Sequence, residues 1–278
     1  MAGTLYLVPT PIGNLGDISR RMAETLEEVD FIAAEDTRVS IKLLNHLEIK
    51  KPMVSYHRHN TESGGRVVLD RLLAGENCAL VTDAGMPAIS DPGEELVAQC
   101  AQLNIPVVAI PGPCALVTAL AISGLPTGRF TFEGFLPMNK KNRRAQLDSL
   151  RGEERTMIFY EAPHKLLSTL EDLADTFGAE RSISLCRELS KLHEEVRRTT
   201  LGEACSHYSA NPPKGEFVLV VGGAQPREEK EITLEDGLVL VDKLREEGLS
   251  LRDAVKRAAK ELGLSRNQLY DLAVGGKN

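Results

Sequence analysis

Short apolar, β-rich runs alternate with helical patterns from the first residues onward, and that alternation most constrains how this chain can fold. Thr4–Pro9, Asp30–Ala34, Pro52–Ser55, Cys78–Thr82 and Pro106–Ile110 carry the strand pattern. Ile18–Val29, Val39–Leu47, Glu62–Leu73 and Gly93–Leu103 carry the helical one, with Asp17 placed to cap the first. Strands separated by helices of about ten residues predict parallel βαβ units. A further helix, Ala115–Ile122, runs into the Gly/Pro-rich SGLPTGR turn, which places a boundary within 112–130. Beyond it, strand patterns at Thr131–Phe135, Thr156–Tyr160, Ser182–Arg187, Glu195–Thr199 and Phe217–Val221 alternate with helices at Arg143–Leu150, Lys165–Phe177 and Leu201–Ser209. That half reads as α/β with a mixed sheet. Gln225–Glu231 is a polar linker, and three short helical patterns follow near 234–247, 250–262 and 265–273. The expected organisation is an N-terminal α/β domain (1–115), a second α/β domain (116–225) and a helical tail (232–278).

The 278 residues are 42% hydrophobic and 26% charged, enough apolar material for well-buried cores, which excludes global disorder. No apolar run reaches the roughly 18 residues that span a bilayer. Met1–Thr10 has no basic stretch ahead of an apolar one, so no secretory leader is expected and the expected location is the cytoplasm. The five scattered cysteines, Cys78, Cys100, Cys114, Cys186 and Cys205, form neither a disulfide framework nor a zinc pattern. The net charge of −7 opposes general binding to nucleic acid, because neutralising phosphates needs Lys and Arg. A nucleic-acid role therefore requires a local basic patch. Pro137–Arg151 supplies one, with Lys140, Lys141, Arg143, Arg144 and Arg151 against the single acid Asp148.

Four segments are too rich in Gly and Pro to be ordinary connections: Pro9–Asn14, Thr82–Gly93, Pro111–Ala115 and Pro212–Glu216. Three follow a predicted strand and the fourth precedes one. Open α/β sheets bind ligands beyond the carboxyl ends of their strands, where Gly admits close approach and Pro fixes the loop. None of the four matches a dinucleotide fingerprint or a P-loop. The expected ligand is one that a Pro-rich cleft can enclose.

PTPIGN, AAEDTR (33–38), SYHRHN (55–60), TDAGMPAISDPG, PGPCALVTAL (111–120), FEGFLP (132–137), FYEAPHKL (159–166), CRELSK (186–191) and KGEFVLVVGG (214–223) occur in this order. Together they resemble the ribosomal RNA small subunit methyltransferase I family, within the tetrapyrrole-methylase-like class III S-adenosylmethionine (SAM) methyltransferases. Met86, Lys165 and Arg58 depart from the residues usual in that family.

The resemblance implies two α/β domains with SAM in the cleft between them and a small C-terminal helical module. It implies 2′-O-methylation of a decoding-centre cytidine of 16S rRNA within the 30S subunit, by a homodimer. It also implies that Pro11 and Ile12, the loop Asp83, Ala84, Gly85 and Met86, and Cys114 and Ala115 approach the cofactor, with Tyr160, Leu189 and Gly215 covering the adenosine. Ribose methylation needs alignment of sulfur, methyl carbon and oxygen, and a base within reach of the hydroxyl proton. Candidate bases are Asp36, Glu35 and Glu161, with Asp83 and Glu188 behind them; the Asp-Thr-Arg context of Asp36 equally suits a helix cap. Arg38, Lys165, Arg187 and Lys191 are candidates for flanking phosphates, and Lys140, Lys141, Arg143 and Arg144 for the RNA backbone.

His57 and His59, spaced i and i+2, could share one face of a strand as metal ligands, but no Cys or carboxylate cluster completes such a site, so no metal is expected. His164, at a helix head, is read equally as a functional residue or a capping histidine. In the tail, two short amphipathic helices flank Gly263–Ser265 in a helix-turn-helix spacing, with Arg252, Lys256, Arg257, Lys260 and Arg266 available to phosphate. Two other readings stay open: carbon methylation of a tetrapyrrole or other small molecule, and a non-enzymatic RNA-binding assembly factor.

Overall fold

The protein is described from a computed structural model covering residues 1–225 and 233–275. The polar linker expected at Gln225–Glu231 lies outside the described residues except for Gln225. Residues 1–224 form one compact unit that contains two five-stranded sheets, and the tail forms a second unit.

The first sheet comprises β1 (Leu5–Leu7), β2 (Phe31–Ala34), β3 (Met53–Ser55), β4 (Cys78–Val81) and β5 (Val107–Ala109), ordered β3-β2-β4-β1-β5 and parallel throughout. Helices α1 (Arg20–Glu28), α2 (Thr37–His46), α3 (Thr61–Leu73) and α4 (Glu94–Gln102) supply the crossovers. They cover both faces, which is why β2 and β4 are apolar and buried along their whole length. Asp17 does not cap α1. It lies in a short 3₁₀ turn, and the Ser19 hydroxyl accepts from Met22 N–H instead. A hydroxyl three residues before its donor meets the N-cap geometry, which the 3₁₀ turn takes Asp17 out of.

α5 (Ala115–Ile122) follows β5 but packs on the other sheet, placing Leu116, Ala119 and Leu120 against Ile158, Cys186, Val218 and Val220. That second sheet contains β6 (Phe130–Phe135), β7 (Thr156–Glu161), β8 (Ser182–Arg187), β9 (Glu195–Thr200) and β10 (Phe217–Val221), ordered β6-β7-β10-β8-β9. Only β6 and β7 are parallel, so the sheet is mixed, as its sequence pattern indicates. Helices α6 (Lys140–Ser149), α7 (Leu166–Phe177) and α8 (Leu201–Ala210) accompany it, and its other face carries the core of Phe159, Leu170, Leu185 and Leu219.

In the second unit, α9 (Leu234–Glu246), α10 (Leu251–Leu262) and α11 (Arg266–Gly275) bury Val241, Leu244, Ala254, Val255, Ala258 and Leu269. Thr233 and Asp236 form a reciprocal capping box on α9, and Gly263 ends α10 in the left-handed region at φ +67°. Arg252, Lys256, Arg257, Lys260 and Arg266 are exposed. No helix among the described residues is long and apolar enough to cross a membrane.

Candidate functional site

The strand order explains why three Pro/Gly loops meet. β4, β1 and β5 are neighbours, so the loops after them leave the same sheet edge side by side. Thr10 and Gly85 join the first two loops through reciprocal backbone bonds, each 3.0 Å, and the Thr10 hydroxyl donates to Thr82 O. Gly85 sits at φ +83°, where a side chain is disfavoured. The third loop delivers Cys114 and Ala115 at the start of α5.

The second sheet presents one edge to this group: the carboxyl ends of β6, β7 and β8 and the start of the antiparallel β10. The register pairs Phe217 with both Glu161 and Arg187, and Val218 with both Tyr160 and Cys186. A bulge between Phe132 and Gly134 skips one residue, so Phe132 and Phe135 fall on the same face despite their odd spacing. Both rings then meet Tyr160 edge-on, at 5.0 and 5.6 Å between centroids. The Tyr160 hydroxyl accepts from Leu116 N–H at 3.1 Å, satisfying an otherwise unpaired donor of the first turn of α5.

Between the loops and this edge lies a cavity of about 260 Å³. Of the residues singled out in the sequence, Ile12, Ala84, Gly85, Met86, Cys114, Ala115, Tyr160, Leu189, Glu161, Glu188 and Lys191 line it. Pro11, Asp83 and Gly215 are not in its wall, although their chain neighbours Ile12, Ala84 and Glu216 are. Gly215, at φ +82°, holds the space that the Glu188 side chain fills, so a Cβ there would collide with it. Sequence reasoning missed Asp91, Ile89, Phe135 and Glu216. All four lie inside the motif segments named above, but nothing local in the sequence marks which residues of those segments turn inward.

The cavity wall carries the carboxylates Asp91, Glu161, Glu188 and Glu216 against the single ammonium of Lys191. Three of the four acids are committed. Lys191 bridges Glu188 and Glu216 at 2.8 and 2.9 Å, and the Lys191 contact holds the Glu188 carboxyl below its usual range. Glu161 is buried; one oxygen accepts from Ala162 N–H at 2.8 Å and the other from the Thr169 hydroxyl at 2.5 Å. Asp91 makes no hydrogen bond or ion pair among the described residues.

Glu35 and Asp36 stand at the end of β2, behind the Asp83 loop and outside the cavity wall. Asp36 N–H donates to Asp83, and Asp83 N–H to Glu35. Asp36 caps α2 through Arg38 N–H and pairs with the Arg38 guanidinium, which lowers its carboxyl to about 2. Burial raises Glu35 and Asp83 instead. His164 falls in a 3₁₀ turn ahead of α7. Among the described residues no cluster of three or more His, Cys, Asp or Glu is arranged to hold a metal ion.

The basic segment divides. Lys140, Lys141 and Arg144 are exposed on α6. Arg143 turns inward, with 14% of its side chain exposed, to pair with Asp172 at 2.5 Å and donate to the Thr169 hydroxyl at 2.8 Å. An arginine held by two partners is unavailable to phosphate, which corrects the reading of four outward cations. Arg143→Ala is expected to lower stability by about 1–3 kcal/mol, the range for a lost partly buried charged hydrogen bond, as measured by urea unfolding. Lys165 lies against the Met138 sulfur beside this helix.

Residues 4–205 match the family of tetrapyrrole (corrin/porphyrin) methylases, and residues 233–277 match the RsmI C-terminal HTH domain. Among solved structures, a uroporphyrin-III-C-methyltransferase from Thermus thermophilus is 20% identical with a TM-score of 0.56, covering 79% of this chain and 94% of that one. A structure of a Thermus thermophilus uroporphyrin-III C-methyltransferase complexed with S-adenyl homocysteine is 16% identical with a TM-score of 0.56, covering 79% and 97%. These likenesses establish the fold. Three proteins named ribosomal RNA small subunit methyltransferase I are far more similar in sequence. The Synechocystis protein is 51% identical over 98% of both chains. The Escherichia coli O157:H7 protein is 45% identical over 98% of this chain and 95% of its own. The Bacillus subtilis protein is 42% identical over 97% and 93%. With its methylase fold, its cavity at the joined loops and this full-length similarity, the chain belongs to the ribosomal RNA small subunit methyltransferase I family.

Proposed function

We propose that the protein transfers the methyl group of SAM to the 2′-hydroxyl of a decoding-centre cytidine of 16S rRNA in the 30S subunit, acting in the cytoplasm as a homodimer. The observation that carries this reading is the cavity formed where three adjacent-strand loops meet the edge of the second sheet. Its lining fits SAM. The carboxylates outnumber the one ammonium, which suits a ligand with net positive charge, and the aromatic and small residues leave an apolar slot. SAM supplies an activated methyl group on a sulfonium centre.

The chain's own residues do the rest. Ile12, Ala84, Gly85 and Met86 close one wall, supported by Pro11 and Asp83. Cys114 and Ala115 bring the start of α5, and Tyr160 and Leu189, with Gly215 behind Glu188, cover the opposite side. Holding the reacting groups in line is worth about 7–11 kcal/mol in favourable cases. Lys140, Lys141 and Arg144 extend a cationic strip for RNA phosphates, joined by Lys165. The two α/β halves, divided near residues 115–116, and the tail from 232 form the working unit on this reading.

The test is methyl transfer from radiolabelled SAM to 30S subunits, free 16S rRNA and a porphyrinogen, with nucleoside analysis of the product. Label in 2′-O-methylcytidine from 30S supports the reading; label in the macrocycle overturns it. Replacing Lys140, Lys141 and Arg144 with Ala is expected to flatten the salt dependence of log affinity for 30S by about 0.7–0.9 per lost contact. SAM affinity should be unchanged. An unaltered salt slope would show that these cations are merely solvated.

A further inference from the structure

We propose that Asp91, within the Thr82–Gly93 segment, is the group that receives the proton of the ribose hydroxyl during methyl transfer. This rests on the methyltransferase reading above. Among the cavity carboxylates, Glu161, Glu188 and Glu216 are each already held by a protein donor, Glu161 by two donors and Glu188 and Glu216 by the shared Lys191 ammonium. Asp91 is half-buried in the cavity wall with no hydrogen bond or ion pair among the described residues. A carboxylate kept partly from water without a donor is costly, and a substrate hydroxyl would relieve that cost. Asp91 also lies in the same Thr82–Gly93 segment as Gly85 and Met86, three residues ahead of α4, so one stretch of chain places all three in the cavity wall.

Its surroundings tune it for the task. Burial foremost, then the charges of Glu35 and Asp83, push the Asp91 carboxyl up to about 6, with Arg58 pulling the other way. Tyr160 faces it from β7 and feels its charge. The acid group at the ends of β2 and β4 thus gains a role that does not require Glu35, Asp36 or Asp83 to enter the cavity: Glu35 and Asp83 raise the basicity of the carboxylate that does. A base poised near the working pH is the efficient one. In the reaction the ribose oxygen bonds to the methyl carbon as the carbon–sulfur bond breaks. The bonding pair stays on sulfur, and the hydroxyl proton passes to the Asp91 carboxylate and then to water.

Asp91→Asn is the test, with Asp91→Ser as a second variant should the amide disturb folding. Single-turnover methylation of 30S by Asp91→Asn is expected to fall by about 10²–10⁴-fold while affinity for SAM and for 30S stays within about threefold. The wild-type rate should rise with pH through an inflection near 6, and that inflection should vanish in both variants. Carbon-13 NMR of labelled Asp side chains gives a readout independent of turnover: one carboxyl titrating near pH 6 and lost on substitution. Stability gives another. A carboxyl raised in the folded state lowers stability above pH 6, and the penalty fades as pH falls toward its unfolded value. Asp91→Asn should therefore unfold at a higher temperature than wild type at pH 8, with the gap closing near pH 4. Unchanged single-turnover rates, or a retained inflection, would overturn the role. Loss of SAM binding instead would make Asp91 a cofactor ligand and overturn it equally. Failure of the wild type itself to methylate 30S would defeat the functional reading, an outcome separable from failure of the variant alone.

Discussion

Gly85→Val is expected to weaken SAM binding at least 100-fold, about 2.7 kcal/mol, in calorimetry on the intact protein. Two effects combine. At φ +83° the backbone lies where a β-branched residue is strongly disfavoured, and the Thr10–Gly85 bonds that join two loops hold it there. The first added carbon has room, since a Cβ would sit 3.4 Å from Ile12 Cγ2. The branched methyl groups beyond it would have to be accommodated at the wall of the cavity that Gly85 lines. Gly85→Ala separates the two effects, because it carries the strain without the bulk. Its SAM affinity should stay within about tenfold of wild type, with a stability loss of about 1 kcal/mol. Equal affinity in the Val variant would mean that the cofactor does not approach this loop, and the assignment of the cavity would fail.

Much of this site was legible in the sequence because it is built from local signals. Parallel βαβ units announce themselves through strand runs spaced by helices, and the strands fall within a residue or two of their patterns; β8 and β10 coincide with them. The Pro/Gly loops were visible as composition. What sequence cannot display is the order β4-β1-β5, and that order is what sets three loops together. Nor could it show the bulge that turns Phe132 and Phe135 to one side of Tyr160, because a bulge breaks the two-residue period on which face assignment relies. The basic segment illustrates the opposite failure. Its charges were plain, yet Arg143 and Arg144 are adjacent in sequence and face different surroundings, one pairing with α7 and the other in solvent. Among acids, the Asp-Thr-Arg context of Asp36 marks a helix cap, whereas the sequence of the Thr82–Gly93 segment does not show that Asp91 reaches the cavity wall.

Glu161→Ala is expected to be among the most damaging single changes to stability, about 2–6 kcal/mol, at about 1–3 kcal/mol for each of the two donors left unpaired. Glu161 ends β7 at 4% exposure, and its oxygens hold Ala162 N–H and the Thr169 hydroxyl. The Thr169 oxygen in turn accepts from Arg143, which pairs with Asp172 on α7. One chain of polar contacts thus ties α6 and α7 to the strand that carries Tyr160 into the cavity. Removing the carboxylate strands two donors and leaves Arg143 with Asp172 alone to offset its charge. Glu161→Gln keeps the shape and one acceptor oxygen, so about 1.5–3 kcal/mol is expected there, measured by urea unfolding. A double-mutant cycle with Arg143→Ala should show a coupling of about 0.5–3 kcal/mol, since the two side chains meet at one hydroxyl. Turnover decides between an anchor and a base. With Asp91 receiving the proton, Glu161→Gln should retain its rate per folded molecule within about tenfold. A drop of 10²–10⁴-fold with the fold intact would return the base to β7.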